Sequence, residues 1–164
     1  MKTKLPMSLS NGPLLAALCL LFSSCNYDVP LTDTPTHKID ARLFGDWTAV
    51  DKDDNKEMHL SVRKFDDSTY VVALDGDLYR VFHSDFADTA FVSVQDLNSH
   101  ERKYVYYVWQ LSPDGTQLSL KGVSNKVVPE ETKGREALQK LIKANLANPK
   151  LYGDENKFTR KQHW

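Results

Sequence analysis

KYVYYVWQL, residues 103–111, carries apolar or aromatic side chains on both of its faces. In an extended strand, successive side chains point to opposite sides. Val105, Tyr107, Trp109 and Leu111 therefore share one side, and Tyr104, Tyr106 and Val108 share the other. A strand wetted on one side alternates apolar with polar residues, so this one requires cover on both. Something outside its own sheet must pack on it.

The chain on either side of this strand repeats a simpler pattern. Residues 43–50 read as a first strand. Met58, Leu60 and Val62 alternate with His59, Ser61 and Arg63 in a second. Asp66-Asp67-Ser68 turns into Tyr70, Val72 and Leu74, and Asp75-Gly76-Asp77 turns again into residues 78–83. Residues 91–97 form a fifth strand. Ser112-Pro113-Asp114-Gly115 joins residues 103–111 to residues 117–123, with proline and glycine at the second and fourth positions of a type I turn. Period-two alternation with turn chemistry every eight to twelve residues marks an all-β sandwich or barrel, and short loops favour antiparallel neighbours. Over residues 132–147 the period changes. Ala137, Leu138, Leu141, Ile142 and Leu146 form one helical face that ends at Asn148-Pro149. This helix is the expected cover for the second face of residues 103–111. Residues 158–161 add a short final strand.

Gly45-Asp46-Trp47, opening the first strand, resembles the G-x-W signature of lipocalins and bacterial lipocalin-like domains. The resemblance spans about residues 41–161. It implies an antiparallel up-and-down barrel of seven to eight strands with one C-terminal helix packed outside. It also implies that Trp47 closes the barrel base, paired with an arginine from a late strand, for which Arg160 is the nearest candidate.

The amino-terminal end reads differently. Residues 14–22 are nine apolar residues in a row. That is less than half of the roughly 20 a membrane-spanning helix needs, but it suits the apolar region of a secretory signal peptide. Lys2 and Lys4 supply the positive flank and Ser23-Ser24 the small residues of a cleavage site. Leu21-Phe22-Ser23-Ser24-Cys25 resembles the lipobox of bacterial lipoproteins, with Phe22 in place of the usual leucine. The resemblance implies acylation of Cys25 and removal of residues 1–24. Several acyl chains on one residue anchor a protein stably, where one holds it only marginally. Asn26 is not the aspartate that retains lipoproteins in the inner membrane of enteric bacteria, which points to the outer membrane of a Gram-negative cell envelope. Residues 25–40, with two prolines and three threonines, read as the lipidated cysteine and a flexible tether. Residues 26–40 could reach as much as ~50 Å from a membrane. Residues 41–164 form the single domain.

Composition narrows the function. Cys19 falls in the leader and Cys25 carries lipid, so no thiol remains for a disulfide and stability must come from a packed core. The net charge of −1 becomes two units more negative without Lys2 and Lys4, and no basic stripe suits nucleic acid. Asp51, Asp53 and Asn55 match the first ligands of a calcium-binding loop. Lys56 then replaces the turn glycine and Val62 the bidentate glutamate, so no metal site is expected. His37, His59, His83, His100 and His163 lie at no zinc-ligand spacing, and His59 and His83 fall on outward strand faces. No nucleophile elbow or phosphate-binding glycine loop occurs, so no catalytic residue and no cofactor are expected. Tyr70, Tyr107 and Trp109 remain, aromatics with a polar edge on apolar faces, suited to orienting a small ligand. Two functions follow. One is a tethered barrel that binds a small apolar ligand. The other is a packed scaffold that touches another envelope protein. An eight-stranded barrel is just wide enough for either.

Overall fold

The structure is a computed structural model that describes residues 26–51 and 55–161. The leader, Cys25 and part of the acidic loop after residue 51 lie outside the described residues. Eight strands close into a barrel: β1 (Gly45–Val50), β2 (Glu57–Lys64), β3 (Thr69–Leu74), β4 (Asp77–His83), β5 (Phe91–Asp96), β6 (Tyr104–Leu111), β7 (Gln117–Val123) and β8 (Tyr152–Arg160). Each pairs antiparallel with the next, and β8 returns to β1 through Trp47↔Arg160 and Thr48↔Thr159. One α-helix among the described residues, α1 (Arg135–Asn145), follows β7 in the chain and packs outside the barrel in a cluster with Phe91 and Tyr106. This is the up-and-down architecture expected, with eight strands.

The turns show why the register holds. Asp75 (φ 50°) and Gly76 (φ 103°) form the two-residue link between β3 and β4, the mirror-image geometry whose twist suits a hairpin. At Ser112-Pro113-Asp114-Gly115 the Gly115 N–H donates to the Ser112 carbonyl at 2.9 Å, and Gly115 takes φ 70°. The up-and-down order leaves two ends. At one, here called the pole, lie the start of β1 and the β2–β3, β4–β5 and β6–β7 connections. At the other, the mouth, lie the β3–β4 and β5–β6 connections.

Burial separates two apolar layers. Inside the barrel, Trp47, Met58, Leu60, Val62, Tyr70, Val72 and Phe158, among others, form one cluster. Outside it, α1 sets Leu138 and Ile142, both fully buried, against Phe91, Tyr106, Val123 and Leu151. Each such side chain stabilises the fold by ~1.5–3 kcal/mol relative to leaving it in water. The two-sided strand belongs to both layers: Tyr107 faces in, while Tyr106 faces the outer layer.

The outer layer has a second contributor. Residues 26–40 are no free tether over their described length; they form a strap that runs along the barrel from mouth to pole. Tyr27 bridges to Tyr104 by backbone bonds in both directions (2.8 Å each), stacks on Tyr106 (4.9 Å) and donates its hydroxyl to the Val128 carbonyl (2.7 Å). Leu31 is fully buried, and its N–H donates to Ser93 Oγ at 3.2 Å. Further along, Thr36 N–H donates to the His83 carbonyl (3.0 Å) and Ile39 N–H to the Asp67 carbonyl (3.1 Å). The helix clasps the strap from the other side: Gln139 donates to the Leu31 carbonyl (2.9 Å) and Arg135 to the Pro30 carbonyl (3.1 Å). The apolar residues Tyr27, Val29 and Leu31, spaced two apart among prolines and threonines, are what hold it down.

Two smaller boundaries differ from expectation. The first strand is preceded by a 3-10 turn, Ala41–Leu43, capped by the Asp40 side chain. The final strand is nine residues rather than four, because the polar residues Glu155, Asn156 and Lys157 continue the β7 pairing, which shifts register before Tyr152 meets Val123.

Candidate ligand chamber

Inward-facing side chains of β2 to β8 enclose a chamber of ≈ 70 Å³. Its wall includes Met58, Leu60, Val62, Val72, Leu74, Val81, Val92, Val94, Leu118, Leu120 and Phe158, all apolar. Met58 and Val62 stand four residues apart on one strand face, about 13 Å at ~3.3 Å per residue, and both line it. For scale, a dry cavity of ~150 Å³ admits benzene.

Two of the three candidate ligand residues, Tyr107 and Trp109, line the chamber. Tyr70 does not. It is fully buried at the pole, where its hydroxyl accepts from Asp40 N–H at 2.6 Å and lies 3.3 Å from His83 Nε2. Its ring meets Phe44 and Trp109 edge-on at 6.2 and 5.6 Å. Tyr70 therefore ties the strap's end to the pole. His83 is not on a solvated face either. It shares the inward parity of Tyr79 and Val81, and its ring sits 4.9 Å from Trp109 with the side chain 13% exposed. Burial pushes its pKa below the usual histidine value, with Asp85 opposing and His37 adding to the shift.

The pole is sealed by side chains that β1 and β8 bring together. The Arg160 guanidinium lies 4.1 Å over the Trp47 ring. It donates to the carbonyls of Gly115 (2.8 Å), Phe44 (2.6 Å) and Arg42. Trp47 Nε1 donates to the Leu43 carbonyl at 3.1 Å. Gly45 makes room for this arrangement: its φ is 137°, and a Cβ there would meet Arg160 Nη1 at 2.7 Å.

The mouth is built otherwise. Tyr79 and Val94 line both the chamber and a vestibule of ≈ 240 Å³, whose remaining wall is Asn26, Asp77, Asp96, Asn98, Lys103 and Val105. Burial raises the Tyr79 hydroxyl to about pKa 12, and the nearby charges of Asp77 and Asp96 act in the same direction. It stays protonated at neutral pH. Among the chamber's lining residues, Asn156 adds the one side-chain amide, on a half-buried stretch of β8 opposite Leu120. Sequence reasoning missed Asn156 because the polar run around it hides its inward parity with Phe158.

The chamber thus offers an apolar bore whose lining includes four side chains that carry a polar atom, Tyr79, Tyr107, Trp109 and Asn156, and it shares part of its wall with a vestibule. Among the described residues, no three His, Cys, Asp or Glu side chains converge where a metal could be held. No helix among them is long and apolar enough to cross a membrane. No family model matches the chain, and neither a curated protein nor a solved structure does.

Proposed function

We propose that this chain is a lipid-anchored, non-catalytic lipoprotein of the bacterial cell envelope whose lipocalin-like barrel receives one thin apolar molecule. The anchor is Cys25, and the compartment, by the lipobox resemblance and Asn26, is the outer membrane. The observation that carries the ligand reading is the apolar chamber lined by Tyr107 and Trp109, which shares Tyr79 and Val94 with a vestibule. Its ≈ 70 Å³ suits a single unbranched chain rather than a fused ring system. Asn156 would orient a polar end, as the few polar groups of apolar pockets do.

The small volume also favours a second reading, a packed scaffold that acts by touching another envelope protein. Trp109 separates the two. Its fluorescence should shift when medium-chain linear alcohols are titrated in, ignore polycyclic probes, and lose the shift in Trp109→Phe. Indifference to every apolar probe would leave the scaffold reading.

A further inference from the structure

The strap fixes where the lipid anchor emerges. Asn26 lines the vestibule together with Asp77, Tyr79, Asp96 and Lys103. It cannot drift from there. Tyr27 is 1% exposed and bonded on both sides to Tyr104, and Asp28 pairs with Lys103 and with Lys133 (2.9 Å). Cys25 is the next residue, one Cα–Cα step of ~3.8 Å away. A free tether would have held the barrel as much as ~50 Å from the bilayer; a pinned strap holds the rim of the mouth against it.

We infer that the mouth rests on the phospholipid headgroup layer that holds the anchor, so that the chamber loads from the bilayer. This rests on the acylation of Cys25 proposed above. The surface is consistent with such a contact. Of the three large apolar side chains that stand exposed among the described residues, Val50 (58%) and Leu78 (45%) belong to the mouth end, and the Leu78 N–H is held by Asn98 of the vestibule. The rim carries both signs of charge, Asp77 and Asp96 beside a Lys103 paired to Asp28, which suits zwitterionic headgroups better than a strongly anionic surface. Among the described residues, Phe65 (65%) is the third, at the opposite pole.

The test uses the full lipidated protein in phosphatidylethanolamine–phosphatidylcholine vesicles that contain a spin-labelled lipid. Single cysteines are introduced as Asp77→Cys at the mouth and Phe65→Cys at the pole, both exposed positions, and each carries a fluorophore. Quenching at residue 77 should exceed that at residue 65 several-fold. Releasing the strap with Tyr27→Ala and Asp28→Ala should bring the two to the same level while the protein stays on the vesicle. With acyl chains on Cys25 verified by mass spectrometry, equal quenching at the two ends, or stronger quenching at residue 65, overturns the apposition and leaves the anchor intact. An unmodified Cys25 in protein extracted from its own membranes overturns both.

Discussion

The two ends of this barrel are made of the same strands and do opposite things. At the pole, a guanidinium stacked on an indole donates to three backbone carbonyls, and a glycine without a side chain makes space for it. At the mouth, the one side chain between chamber and vestibule that carries a hydroxyl is Tyr79, and carboxylates flank it. The pole spends its polar groups on the protein's own backbone. The mouth keeps polar groups beside an apolar bore. The difference teaches where to look for rigidity and where for traffic.

Breaking the pole should therefore cost the most stability. Trp47→Ala removes a fully buried indole and the platform under Arg160, and should lower unfolding stability by ~3–5 kcal/mol in urea titrations. Gly45→Ala imposes a positive φ on alanine and a Cβ 2.7 Å from Arg160; a loss of ~1–3 kcal/mol is expected. The mouth side should behave in reverse. Val94→Phe grows a side chain into existing space, so stability should change by less than the ~1–3 kcal/mol usual for overpacking, while the Trp109 response to linear alcohols disappears. A stability loss as large as that of Trp47→Ala would mean the chamber is closed in solution.

The smallest effect is a pH dependence. Burial depresses the His83 pKa in the folded state from the ordinary 6.5. The unfolded chain therefore takes up a proton first as pH falls, and stability should decline below about pH 6.5 until the folded value is reached. His83→Phe should flatten that decline, read by denaturation at pH 7.5 and 5.5.

Much of the fold was legible in the chain, for physical reasons. Residues 103–111 announced a strand covered on both faces, and Asp75-Gly76 and Pro113–Gly115 announced hairpins, because those signals are local. The strap was not legible. Proline and threonine dominate residues 26–40, and the alternation of Tyr27, Val29 and Leu31 has meaning only once Tyr104 and Tyr106 are placed beneath it. The same holds for the site. Tyr107 and Trp109 followed from the parity of one strand. Tyr70 has the right parity but lies at the sealed end, where the strap's Asp40 reaches it, and no strand pattern reports which end a strap will cover. Asn156 sits in a strand whose polar run gives no alternation to read.

The central claim is that the bore accepts a thin apolar molecule. Native mass spectrometry of residues 26–164, purified gently from its own host, tests it most directly. The account predicts a mass excess from one small single-chain molecule, absent from Val94→Phe prepared in the same way. A bare mass in both proteins, or an excess that survives Val94→Phe, would contradict it.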